Sequence, residues 1–327
     1  MSKYFLPLIL LVSMVWTSCS NDFDLFTEKE EIPVVYALLS KSDEVHYIRL
    51  ERAFLDENRS ALLVASEPDS IYYKDATVEL IDLVTQQVFE FQKTDLAQQD
   101  LPRDDGYFPS EPNYLYAIGA EEIDLQGNRN YRLEVKRNGE LLTTSSVLII
   151  DDLRIRSPVE GQGLNLQGEI RTNVRWDATA GAEFFNLRLY FNYEERIIDQ
   201  GNTYEPRVAV WNVVTRASGN TIGIRGNEFL QWVGGALEEK GNVQRRFQSI
   251  DLRLDAGGLE LFNYVNVGLA NTGITSSNEI PLYTNIEGGL GVLSSINHTE
   301  VVDFHLRPAA MDSLIMGRFT QDLNFTR

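Results

Sequence analysis

The stretch Tyr131-Arg132-Leu133-Glu134-Val135-Lys136-Arg137-Asn138-Gly139-Glu140-Leu141, running on to Ile150, decides the fold class. Asn138-Gly139 suits a type I′ turn, whose two central residues both need positive φ, and it lies between Tyr131–Lys136 and Leu141–Ile150. Before the turn, Tyr131, Leu133 and Val135 alternate with Arg132, Glu134 and Lys136, so one strand face is apolar and the other charged. The same period of two recurs at His46, Ile48 and Leu50, at Ala76, Val78 and Leu80, at Phe185, Leu187, Leu189, Phe191 and Tyr193, and at Ile250, Leu252 and Leu254. Strands at this density, separated by Gly, Asn and Asp turns, predict a mostly β protein built as sandwiches.

Helical spacing is confined to short segments. Phe229, Trp232, Val233 and Leu237 predict a helix over Glu228–Lys240 with Asn227 as N-cap, and a second covers Gly258–Tyr264. Gly234 and Gly235 each cost the first helix roughly 1 kcal/mol relative to alanine, so it needs tertiary support. The turn-rich Ser157-Pro158-Val159-Glu160-Gly161-Gln162-Gly163 predicts a boundary between a sandwich at 32–156 and a larger β domain with inserted helices at 157–327.

The amino terminus predicts location. Lys3, the apolar run Tyr4–Trp16 and the small residues Thr17 and Ser18 before Cys19 have the order of a signal peptide at residues 1–18. The run falls short of the roughly 20 residues that span a bilayer as a helix. Cys19 is the only cysteine, so an intramolecular disulfide is excluded, and it stands where bacterial lipidation needs a thiol. The segment resembles the lipobox, with Thr17 and Ser18 complying and Trp16 departing at the position usually held by Leu. Membrane lipid attached through Cys19 is therefore the expected anchor; the alternative is an ordinary signal peptide with an incidental cysteine. Residues 19–31 follow as a polar tether carrying Asp22, Asp24, Glu28, Glu30 and Glu31. Loss of residues 1–18 removes only Lys3 and shifts the net charge from −19 to about −20, which disfavours nucleic acid and anionic headgroups as partners.

Four segments together resemble the Bacteroidota lipoproteins grouped as domain of unknown function 4249. They are Val34-Val35-Tyr36-Ala37-Leu38-Leu39, the run from His46-Tyr47-Ile48-Arg49 to Leu55, Pro68-Asp69-Ser70-Ile71-Tyr72-Tyr73, and the run from Tyr283-Thr284-Asn285-Ile286 through Glu287-Gly288-Gly289-Leu290-Gly291 to Ser295. Leu293 stands where an aromatic residue is expected. The resemblance implies an outer-membrane lipoprotein, periplasmic or surface-exposed, with an immunoglobulin-like or transthyretin-like first domain, often found beside TonB-dependent receptors. It carries no catalytic residues with it. Asp69-Ser70-Ile71 and Asp312-Ser313-Leu314 resemble the O-glycosylation acceptor of that phylum, at Ser70 and Ser313. The glycine run predicts a turn or bulge entering a strand rather than a phosphate loop, for neither GxxxxGK[ST] nor GxGxxG is present.

Candidate chemistry is sparse, and no cofactor is expected. His46 reads as a half-buried structural ring in a strand. His298, Glu300, Asp303 and His305 include only two ligands, Asp303 and His305, on one strand face, too few for zinc. Asp100, Asp104, Asp105 and Glu111 surround Gly106-Tyr107 and offer hard oxygens to calcium, but without the Asp-x-Asp-x-Asp-Gly spacing; a solvated turn is the expected role. No GxSxG elbow or HExxH motif occurs. Tyr107, Phe108, Tyr114 and Tyr116 could stack on a sugar or enter a partner interface, packing under their own loop being the expected alternative. The reading is a non-catalytic surface binding module, accessory to a TonB-dependent transporter. An envelope glycan hydrolase and a structural adhesin or scaffold are the alternatives.

Overall fold

The computed structural model describes residues 31–53, 60–270 and 282–327. The signal peptide, Cys19 and the tether up to residue 30 lie outside the described residues. The fold is mostly β, and its strands gather into two bodies that share one long strand.

The first body contains β1 (Ile32–Leu39), β2 (Val45–Ala53), β3 (Ala76–Asp82), β4 (Val88–Asp95), β5 (Tyr114–Gly119), β6 (Asn130–Arg137) and β7 (Glu140–Leu148). They lie in the order β1-β2-β5-β4-β3-β6-β7, all antiparallel. Asn138 and Gly139 adopt φ of 53° and 83°, the positive pair that a type I′ turn needs between β6 and β7. Val35, Leu39, Ile48, Val78, Leu80, Leu133 and Val135 meet inside with no exposed surface, the apolar halves of their alternating strands. Glu31 meets both Arg52 and Arg137 at 2.7 Å, so the last residue of the tether is pinned to this body.

The second body has a small antiparallel sheet, β8 (Ile155–Ser157), β9 (Arg171–Trp176) and β12 (Thr221–Arg225). It also has long strands, β10 (Phe184–Ile197), β11 (Glu205–Ala217) and β13 (Val243–Gly257), with the short β15 (Phe325–Thr326) parallel to β13. The shared strand is β14 (Leu290–Phe304). Its first half pairs parallel with β1, from Val34 opposite Leu290 to Leu39 opposite Ser295. Its second half pairs antiparallel with β13, from Gly257 opposite Ile296 to Ile250 opposite Phe304. The run Gly291–Ser295 is buried throughout, as expected of a strand covered on both faces. A sandwich drawn at 32–156 therefore lacks one of its strands, which the chain supplies from Leu290–Ser295.

The glycine run makes that pairing possible. Gly291 has φ of 109°, and a Cβ there would lie 1.9 Å from the carbonyl oxygen of Val35. Just upstream, Thr144 of β7 bridges Glu287, and the Thr143 hydroxyl donates to the Glu287 carbonyl at 2.6 Å. The first sheet thus returns on itself, from β14 round to β7 and back to the segment that enters β14.

The helices differ from expectation in extent and number. Ahead of β3 lie α1 (Ala61–Ala65) and α2 (Pro68–Ile71). The first predicted helix is α3 (Gly226–Ala236), which starts earlier, with Arg225 rather than Asn227 as N-cap; the Glu228 carboxylate accepts from the Arg225 N–H at 3.3 Å. Phe229, Val233 and Leu237 are buried as the spacing predicts, Trp232 is half-buried, Leu230 is buried in addition, and Gly234 is needed because a Cβ would meet the Phe319 carbonyl at 2.2 Å. The second, α4 (Leu259–Ala270), runs past Tyr264 and lies over the shared strand. An unexpected helix, α5 (Pro308–Met316), opens on proline at N1, where no N–H is needed, and buries Ala310 and Leu314 against the second core.

Candidate functional site

The loop between β4 and β5 carries most of the residues singled out from the sequence. Asp95 clamps its base, accepting from Ala97 N at 3.1 Å and Asn113 N at 2.9 Å. Buried Asn113 donates to the Leu101 carbonyl at 2.9 Å and accepts from Arg49 at 2.9 Å. The Glu51 carboxylate, 7% exposed, takes Arg103 at 2.7 Å and Arg49 at 3.2 Å. A carboxylate buried between two guanidiniums ties the loop to β2, and removing either partner would leave a charge desolvated.

The four aromatics are divided between β5, which holds Tyr114 and Tyr116, and the loop, which holds Tyr107 and Phe108. Tyr116 is in the core, 4% exposed, its hydroxyl donating to the Ala76 carbonyl at 3.2 Å, and burial pushes its phenol up to about 12. Tyr114 is half-buried, edge-on to Tyr72 at 5.2 Å, with the Lys93 ammonium 4.6 Å from its ring centre. Phe108 lies under the Arg103 guanidinium at 4.2 Å, and Tyr107 points outward at 71% exposure. Only Tyr107 and Phe108 present rings to solvent, so the four do not form one stacking platform.

Nor do the acidic candidates converge. Asp100 adopts φ of 60° at the end of the 3-10 turn Leu96–Gln99, and Asp104 and Asp105 are exposed. Among the described residues, no group of three or more His, Cys, Asp or Glu side chains is placed to hold a metal ion. On β14, Glu300 is taken by Arg253 at 2.9 Å. Asp303 and His305 are exposed on either side of buried Phe304, as their spacing predicts, and Asp303, with φ of 62°, has its N–H held by the Asp251 carboxylate at 2.8 Å. Its carboxylate stays 4.0 Å from the exposed His305 ring. Ser70, in α2, donates to Glu67 at 3.1 Å, and Ser313, in α5, donates to the Ala309 carbonyl at 2.9 Å. His46 is 3% exposed with Nδ1 buried and unpartnered; burial holds its pKa below 6.5 against the opposing pull of Asp43.

A feature not singled out from the sequence is the outer strand of the second body. β11 pairs with β10 on one side and has no strand on the other among the described residues. It is thirteen residues long, and Val208 and Val210 on its outer face are 55% and 45% exposed. On the inner face Trp211 stacks on Trp232 of α3, centres 5.5 Å apart and planes 10° from parallel, which fixes the strand to the core. Pro206 interrupts it near its start, and a bulge at Val213 and the positive φ of Arg216 interrupt its last third, leaving Arg207–Asn212 regularly paired. Long unpaired edges bearing apolar side chains are pairing sites that proteins usually blunt. The sequence signal is the run Val208-Ala209-Val210-Trp211, in which apolar residues fall on both faces.

Two β bodies joined through one strand, with an open edge on the second, define a mostly β protein with few short helices. The family described as Domain of unknown function (DUF4249) matches residues 21–301, and the chain belongs to it. No curated relative matches. Among solved structures, the C-terminal globular domain of an oligosaccharyltransferase from Pyrococcus abyssi is 9% identical over 69% of this chain and 46% of that one, with a TM-score of 0.21. This chain thus spans less than half of that protein. The first two immunoglobulin domains of DIP-gamma are 9% identical over 86% of this chain and 99% of that one, TM-score 0.20. Chicken CNTN1 fibronectin domains FN1–FN3 are 8% identical over 84% and 65%, TM-score 0.17. At these scores no argument rests on the likeness.

Proposed function

We propose that this chain is a non-catalytic interaction lipoprotein, held at the outer membrane by lipid on Cys19 and working as an accessory to a TonB-dependent receptor. The observation that carries the interaction reading is the open edge of β11. Its free backbone N–H and C=O groups offer a template for a partner strand, and Val208 and Val210 supply apolar contacts beside it. The stack of Trp211 on Trp232 holds the strand in place before a partner arrives, which lowers the ordering cost of binding. The location is supported by the order of Lys3, the apolar run Tyr4–Trp16 and Cys19. Two acyl signals on one residue give a stable anchor, at about 0.8 kcal/mol per buried methylene. Glu31, bound by Arg52 and Arg137, would pass the position of the tether to a rigid body.

The test is to cross-link the tagged protein in intact cells, purify it from outer membranes in detergent, and identify stoichiometric partners by mass spectrometry. A TonB-dependent receptor recovered near one-to-one is the expected result, lost when Cys19→Ser releases the chain from the membrane. Recovery of the protein alone, or only with copies of itself, contradicts the accessory role; the second outcome would make the edge a self-assembly surface.

A further inference from the structure

We infer that the second body carries a binding cleft for a small hydroxylated oxyanion, a sugar acid or sugar phosphate, built from Arg171, Arg175, Arg307 and Asn165. The cleft has a volume of about 390 Å³ and opens beside the small sheet. Its lining contains three arginines, several amides and hydroxyls, and no Asp or Glu. In a chain of net charge −19, a concavity of this composition runs against the overall field.

The strand period builds the basic wall. Arg171, Asn173 and Arg175 alternate on β9 with Val174 and Trp176, which are buried in the second core, so the arginines share the opposite face. Opposite Asn173, β12 has Gly223, where a Cβ would lie 1.6 Å from Arg171 Nε; the glycine lets the Arg171 side chain lie across the neighbouring strand. The other wall is the paired segment in which Leu164 N donates to the His305 carbonyl at 2.8 Å and Arg307 N to the Leu164 carbonyl at 2.9 Å. Arg307 Nε donates to the Gly163 carbonyl at 3.0 Å, which fixes the guanidinium and leaves its two outer nitrogens for a ligand.

Two observations point to what the cleft takes. Among the described residues, none of the three guanidiniums has a carboxylate within ion-pair distance. The nearby Glu228, which feels the Arg171 charge, is already held by Arg225 at 2.8 Å. Uncommitted guanidinium forks match carboxylate and phosphate oxygens. The Asn165 side-chain oxygen, in contrast, is buried without a hydrogen-bond partner, so it calls for a donor. A ligand that carries an oxyanion and a hydroxyl answers both.

The test is calorimetric titration of the full chain in detergent with galacturonate, glucose 6-phosphate, galactose and inorganic phosphate. Saturable binding is expected for galacturonate, glucose 6-phosphate or both, and the stronger of the two identifies carboxylate or phosphate as the natural group. Galactose and inorganic phosphate should each bind at least tenfold more weakly than that ligand. Arg175→Gln and Arg307→Gln should each weaken binding tenfold or more with the thermal midpoint unchanged, and Asn165→Asp should abolish it by adding a like charge. Failure of both sugar anions to bind at millimolar concentration would overturn the inference. So would affinity indifferent to the arginine substitutions in chains that still fold, or equal affinity for inorganic phosphate. None of these outcomes bears on the edge of β11, whose partner is assayed separately.

Discussion

The two bodies meet the same problem, the unpaired edge of a sheet, in opposite ways. The first returns on itself: β7 reaches the segment entering β14, and β14 lies against β1, so its edges are spent on each other. The second uses β14 to close one side and leaves β11 open on the other. The closed body is the one to which the tether attaches through Glu31, and the open body carries both the free edge and the basic cleft. The tether contact and the open edge thus lie in different bodies, with β14 joining them.

The largest expected effect breaks the open body alone. Arg245 is 1% exposed and donates to Glu195 at 2.9 Å and to the Leu323 and Glu238 carbonyls at 3.0 and 2.9 Å. Arg245→Met would strand the Glu195 carboxylate and two carbonyls, at a cost of about 3–5 kcal/mol. Trp176, Trp211 and Trp232 all lie in the second core or pack on it, so tryptophan fluorescence should register the whole loss as a lower denaturant midpoint. Next is the joint. Gly291→Ala forces a Cβ against the Val35 carbonyl at a positive φ and should cost on the order of 3 kcal/mol. Because it cuts β1 from β14, fluorescence and far-ultraviolet dichroism should then report separate transitions, whereas Arg245→Met keeps the closed body intact.

A smaller effect sharpens the view of the closed body. Burial lowers the pKa of His46 below 6.5, so the unfolded chain takes a proton that the folded chain refuses. Stability is complete above about pH 6.5 and falls as pH drops below it, by at most about 1.4 kcal/mol per pH unit. Urea midpoints measured from pH 7.5 to 5 should show this slope, and His46→Gln should flatten it. The smallest effect is at Tyr73, whose ring lies 5.8 and 5.7 Å from the Arg52 and Arg137 guanidiniums while its hydroxyl is buried and unpartnered, its pKa pushed up to about 12 by burial. Tyr73→Phe keeps the ring over the cations and removes the orphan group, so thermal unfolding should shift upward by less than about 1 kcal/mol in equivalent stability.

What was legible in the sequence was what local chemistry dictates. Asn138-Gly139 specifies its turn without help from distant residues, and the alternation in β6, β10 and β13 places their core faces correctly. The double role of β14 was not legible, because Leu290–Ser295 and Ile296–Phe304 find partners some two hundred and fifty and about fifty residues away, and nothing in the run marks the change. The alternation that put Asp303 and His305 on one face holds around buried Phe304, whereas the bulge against β13 just before Phe304 has no mark in the run. The four aromatics separate because Tyr114 and Tyr116 belong to β5 while Tyr107 and Phe108 stay in the loop that Asp95, Glu51 and Asn113 tie down. The cleft escaped notice because Arg171 and Arg175 become neighbours of Arg307 only in the folded chain.

The central claim, that the open edge of the second body is where this protein meets its partner, is tested most directly by photo-crosslinking in living cells. A photoreactive side chain at position 210, on β11, is compared with one at the exposed Ser146 of β7. The account predicts a single heavy adduct from position 210, containing a TonB-dependent receptor, and none from 146. Equal adducts from both positions, or a partner captured only from 146, would contradict it.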